Sequence, residues 1–175
     1  MVISLHMSSH VYEALRRHLI GDAMLDASEA AAFAFIRYLE HGDVHRLEVV
    51  DWMAIGAEGF EIESPIHIEL TDETRAAVIR RAHELDAGLV EFHSHLGPWP
   101  AQFSFSDRAG LEEFVPHVRW RLPGRPYAAV VVTKSDFDAL VWMGESDAPL
   151  ALDHLDASGS VLIPTGRSLG SGVFR

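Results

Sequence analysis

The sequence predicts an α/β fold: a mixed, partly antiparallel sheet flanked by helices. Three observations predict it. Capped helical stretches alternate with short apolar runs. His41-Gly42-Asp43 separates two such runs as a hairpin turn does, so part of the sheet is expected to be antiparallel. Tyr127 to Thr133 reads YAAVVVT, a strongly apolar strand.

Taken in order, Ser8 or Ser9 is placed to cap a first helix, Val11 to Ile20, with apolar residues at 11, 15, 19 and 20. Glu29 opens AAAFAFIRYL, a strand despite its alanines, and Arg46 to Ile55 returns as its hairpin partner. Residues 56 to 65 read as a loop or flap, and Ile66 to Leu70 as a short strand. Thr71 caps a helix from Asp72 to about Asp86, with acidic residues in its first turn and Gly88 at its end. Leu89 to His95 is a strand, followed by a loop with Gly97, Pro98 and Pro100. Ser104 caps a helix to about Val115, where Pro116 is expected to interrupt it. Lys134-Ser135-Asp136 turns the chain into a strand from Ala139 to Met143, and Ser160 to Ile163 is a last strand. One domain is expected over 1–165, with a flexible Gly/Ser-rich tail over 166–175.

Composition narrows the function classes. A chain of 175 residues, 48% hydrophobic and 23% charged, has the length and composition of one folded domain. No apolar run approaches the roughly 20 residues of a membrane-spanning helix, and no secretory layout opens the chain. A soluble, cytoplasmic protein is the expectation. The net charge of −12 repels phosphate backbones, which disfavours nucleic acid as a partner. There are no cysteines, which removes disulfides and a thiol nucleophile. Any zinc site must then use His, Asp and Glu, the donor set typical of catalytic rather than structural zinc.

The informative stretch runs from Glu91-Phe92-His93-Ser94-His95 to Ser104-Phe105-Ser106-Asp107. Alternate strand residues share a face, so His93 and His95 point the same way. Ser104 and Asp107 share the first turn of the helix that follows. Strand end and helix start converge, and two imidazoles with one carboxylate leave a fourth metal position for water, as in hydrolytic sites. The His-x-His pair alone carries nothing, since 11 histidines in 175 residues give roughly one such pair by chance. Its strand context, the capping serine, the aspartate three residues on and the absence of thiols give it weight. Glu91 shares the strand face of His93 and His95, but lies at least ~6 Å further along. Periodicity alone does not decide whether it or another carboxylate is the base.

These residues resemble the JAMM motif of the MPN/JAB-domain metalloproteases. His93-Ser94-His95, then Ser104-x-x-Asp107, with Glu29-Ala-Ala-Ala-Phe-Ala-Phe upstream, are similar to that family's ligand and catalytic segments. The match is specific over residues 29–35 and 91–111 and architectural over the rest of about 8–145. It implies a cytidine-deaminase-like JAB/MPN fold, one Zn2+ held by His93, His95 and Asp107, Glu29 as general acid/base, and Ser104 as donor to the developing oxyanion. It implies an isopeptidase or peptidase acting on a ubiquitin-like protein after its C-terminal glycine, by deconjugation or precursor processing. Activating and conjugating enzymes of the same pathway are the further partners it suggests, as in bacterial antiviral operons. Two departures bear on loop shape. Leu96 stands where the family usually has proline, and the loop to Asp107 reads as one residue longer.

Other polar groups are set aside. His41 and His45 flank the hairpin turn as solvated residues. His67 and Glu69 form a His-x-Glu pair, but a zinc deaminase needs cysteines too. Asp153-His154-x-Asp156 reads as a polar loop. Trp99 and Phe103 stand as exposed contacts for a partner or as a small lid core. With Phe60 they are the candidate substrate contacts. A catalytically silent MPN scaffold, or a peptidase for a sulfur-carrier protein or small peptide, are the rival functions, and the complete motif favours an enzyme.

Overall fold

A computed structural model describes residues 1–21, 29–64 and 67–170. Strand β1 is Val2–Met7, followed by helix α1, Ser9–Ile20. Ser8 is its cap, its Oγ accepting the Val11 N–H at 3.2 Å. Strands β2 (Ala31–His41) and β3 (Val44–Ala54) form the expected hairpin, with Gly42 at φ +59°, a conformation glycine adopts without strain. A single 3-10 turn, Ala57–Gly59, leads into β4 (Phe60–Ser64), which pairs with β5 (His67–Leu70). The segment expected to be a loop is thus partly strand, because Phe60 gains a ladder partner in Leu70.

Helix α2 is Asp72–Glu84, capped by Thr71, and β6 is Gly88–Ser94. Gly88 begins that strand rather than ending the helix. A Cβ there would strike the Pro126 carbonyl, so only glycine permits this close approach. Helix α3, Phe105–Arg121, passes through Pro116 instead of stopping at Val115. Pro116 lies on the exposed side, while Val115, Val118 and Leu122 are buried. That apolar burial offsets a proline penalty of about 3 kcal/mol. Strands β7 (Tyr127–Val132), β8 (Phe137–Trp142), β9 (Leu150–Ala151), β10 (His154–Ala157) and β11 (Ser160–Leu162) follow, then helix α4, Arg167–Gly170.

Among the described residues, nine strands form one sheet, in the order β11-β10-β1-β3-β2-β6-β7-β8-β9. Pairs β1–β3, β1–β10 and β6–β7 are parallel, and the other pairs are antiparallel. The sheet is mixed, as expected. Strand β1 was not foreseen, although Ile3, Leu5 and Met7 alternate with Ser4 and His6. The polar loop expected around His154 is strand β10, because Leu155 and Ala157 alternate with it into the core.

Two apolar layers sandwich the sheet. On one face Leu5, Ala32, Ala34, Phe92 and Val130 pack with Leu15 and Leu19 of α1. On the other Phe33, Phe35, Leu89 and Tyr127 pack with Val78 of α2 and Leu111 and Val115 of α3. Residues Ala31 to Ile36 are all buried. A strand covered on both faces needs no alternation, and small alanines let the layers approach. Among the described residues no helix is long and apolar enough to cross a membrane.

Candidate metal centre

The antiparallel register of β2 on β6 builds the site. Ala31 pairs with His93, and the chain beyond stays tied, with the Ser94 N–H on the Ala30 carbonyl at 2.9 Å. The Ser94 Oγ takes the Ala30 N–H at 2.9 Å. Glu29 is therefore carried to the end of β6, where its Oε1 lies 3.9 Å from His95 Nε2. It is buried.

Asp107 enters from the other side on the first turn of α3. Ser104 and Asp107 form a reciprocal capping box. The Ser104 Oγ accepts the Asp107 N–H at 3.2 Å, and Asp107 Oδ2 accepts the Ser104 N–H at 2.6 Å. The same Oδ2 lies 3.4 Å from His93 Nε2 and 3.1 Å from His95 Nε2. The donor atoms of His93, His95 and Asp107 all fall within 4.8 Å of one another.

The fit to an ion rests on His93. Its Nε2 is buried and makes no hydrogen bond, since the 3.4 Å approach to Asp107 lacks the alignment of one. A buried donor atom without a bond costs about 1–3 kcal/mol. An ion shared by the three side chains removes that cost. Two ligands of a zinc-sized tetrahedral ion stand about 3.4 Å apart, which the separations of Asp107 from His93 and from His95 match.

Electrostatics point the same way. Burial opposes ionisation of Asp107, but the close imidazoles of His93 and His95 and the Ser104 N–H outweigh it and hold its carboxyl well below the usual range. Burial alone would lower the His93 pKa, yet Asp107, aided by Glu91 and Glu29, raises it.

No protein-family model and no curated protein matches the chain. The site is therefore read from its own geometry.

Among the sequence candidates, the structure brings Glu29, His93, His95, Ser104 and Asp107 together. Glu91 shares their face, but its carboxylate takes a short hydrogen bond from Tyr127. Burial raises its pKa against that bond. Phe103 does not serve as an exposed contact. It is 2% exposed and packs on the His93 ring at 5.6 Å, walling the site. Trp99 is exposed, as is Phe105 beside Ser104, which the sequence reading passed over. Phe60 is half-buried against the second apolar layer. His45 is bound by Tyr38 at 2.7 Å, and Glu69 faces Arg75. The side chains of Ile62, Glu63 and His67 lie outside the described residues.

The sequence reading also missed what pins the loop after His95. Ala101 donates its N–H to Asp136 at 2.9 Å, and Thr165 holds the Ala101 carbonyl at 2.7 Å. Phe103 donates its N–H to Ser168, which in turn donates its own to Asp138. Asp138 also accepts the Gly166 N–H, so the stretch expected to be a flexible tail from 166 is anchored as far as Ser168, within helix α4. Residues 171–175 lie outside the described residues. The available signal was Asp138 itself, a lone acid inside the apolar run FDALVW.

Proposed function

We propose that the chain is a zinc metallopeptidase of the JAMM type with the cytidine-deaminase-like JAB/MPN fold, acting in the cytoplasm. Its substrate would be a ubiquitin-like protein, cut after the C-terminal glycine in deconjugation or precursor processing. The observation carrying this reading is a buried glutamate, Glu29, beside a His93-His95-Asp107 ligand set. A buried carboxylate beside such a set favours an enzyme over a silent scaffold.

His93, His95 and Asp107 would hold the ion. A zinc ion held there would supply Lewis acidity, lowering the pKa of a water toward neutrality and polarising a carbonyl. Glu29 takes the proton of the attacking water and delivers it to the leaving amine. Ser104 Oγ accepts from the Asp107 N–H and lies 2.9 Å from Ser106 Oγ, and with Ser106 as the donor of that pair the Ser104 hydroxyl proton would be left for the oxyanion. The Phe103 ring packed on His93 excludes water from one side. An extended, glycine-ended tail suits this reading, since a loose one would cost entropy and miss the reacting position. The pathway's activating and conjugating enzymes would be further partners.

The test is cleavage of a fusion between the cognate ubiquitin-like protein and a reporter. Glu29→Gln should keep zinc and fold while losing activity on the order of 10²-fold or more, and Glu91→Gln should be milder. Enlarging the terminal glycine to valine should block cleavage, and Trp99→Ala should raise KM. Equal cleavage of the valine fusion favours a small-peptide substrate. Full turnover by Glu29→Gln removes the assigned base, and no turnover by zinc-loaded protein leaves the scaffold reading.

A further inference from the structure

Away from the metal centre, the half of the sheet formed by β11, β10, β1 and β3 presents a second polar cluster. Strand β1 lies between β10 and β3 and is parallel to both. The register sets Ser4 between His154 and Arg46, and His6 between Asp156 and Glu48. These side chains face away from the layer that buries Ile3, Leu5 and Met7. His6, Arg46, Glu48 and Asp156 line a groove of about 360 Å³.

Two of these groups are held as metal ligands are held. His6 Nε2 is hydrogen-bonded to the Ser4 Oγ at 2.9 Å, and Ser4 is buried. That bond fixes the ring and leaves Nδ1 directed at Asp156. Asp156 Oδ1 is tied by the Gly159 N–H at 2.6 Å, which leaves Oδ2 facing His6 Nδ1 at 3.6 Å. This gap is longer than a hydrogen bond and close to the ligand spacing of about 3.4 Å in a tetrahedral zinc site. His154 stands edge-on to His6, ring centres 6.0 Å apart, against 5.0 Å for His93 and His95. As placed, the three groups are not gathered within ligand distance, and a side-chain rotation of half-buried His154 would have to supply the third donor.

The geometry points to a second metal site here, in which His6, His154 and Asp156 take a divalent transition ion of the zinc class. Only two ligands are pre-positioned, so this site is the weaker of the two. Its ion clamps β1 to β10, strands from opposite ends of the chain. The inference does not depend on the proposed peptidase.

The experiment is calorimetric titration of chelator-stripped, full-length protein with Zn2+, with a thermal melt at each stoichiometry. Wild type should bind a tight equivalent and then a weaker one that raises Tm further. His154→Gln and His6→Gln should each abolish the weaker equivalent and spare the tight one. His95→Ala should do the reverse. Ser4→Ala, which only frees the His6 ring, should weaken the second equivalent about tenfold or more. His154 is half-buried, so its variant tests the site even where His6→Gln fails to fold. A wild type that stops at one equivalent lost in His95→Ala overturns this site and keeps the first. One equivalent lost in His154→Gln keeps this site and removes the first. A second equivalent that survives both histidine variants overturns the inference.

Discussion

Replacing Asp107 with asparagine separates metal binding from helix capping. The carboxylate does two things through one oxygen: it accepts the Ser104 N–H at 2.6 Å, and it faces the His93 and His95 Nε2 atoms at 3.4 and 3.1 Å. Asparagine keeps an acceptor for the cap and loses the charge. Complete loss of a cap costs about 1 kcal/mol, or roughly 2–4 °C in Tm for a domain this size. The capping part of the change should fall within that range, and the lost pairing of the carboxylate with His93 and His95 adds to it. Removing one partner of a buried charged set costs about 3–5 kcal/mol. The zinc dissociation constant should therefore rise by about 10²–10⁴-fold. The assay is competition of stripped protein against a chromophoric chelator, beside a circular-dichroism melt. Zinc affinity within about threefold of wild type, with an unchanged melt, would show that the two close approaches are ordinary hydrogen bonds and that Asp107 is no ligand.

Two more predictions test the surroundings of the site. Phe103→Ala removes a buried ring packed on His93 and should destabilise the protein by about 3–5 kcal/mol, read as a fall of roughly 6–20 °C in Tm. A melt within 2 °C or so of wild type would mean the ring is not part of the wall. In stripped protein the pH dependence should have two limbs. The raised His93 pKa gives stability that is complete below its ordinary 6.5 and is lost as pH rises through the folded value. The lowered Asp107 pKa gives stability present above its ordinary 3.8 and lost on acidification below it. Tm of stripped protein should therefore fall from about pH 6 toward pH 9, and His93→Gln should flatten that limb. Equal stability of the stripped protein at both ends would contradict the raised His93 value.

Much of this architecture was legible in local pattern. Helix caps at Ser8, Thr71 and Ser104, the turn at Gly42 and the apolar runs of β6 and β7 each depend on neighbours a few residues away, and each formed where its chemistry required. The alternation that puts His93 and His95 on one face is likewise a property of any strand. Alternation was equally present in β1 and β10, where interspersed Ser, His and Asp masked short apolar series.

What one element cannot contain is the distance to another. Glu29 and Glu91 were both admissible by periodicity. The register of β2 on β6 brings Glu29 to His95, and the Tyr127 phenol engages Glu91. Phe103 was equally fit to be an exposed partner contact or part of a small lid core, and it is buried on His93 with its N–H held by Ser168, far along the chain. The tail carried every mark of a mobile segment, yet over 166–168 two of its N–H groups satisfy Asp138, which burial in β8 would otherwise leave costly. Sequence by itself thus determined the donor set, the strand face and the caps, because these are short-range. Tertiary structure decided which carboxylate stands at the histidines and what walls them in, because those depend on inter-strand register and on long-range satisfaction of buried polar groups.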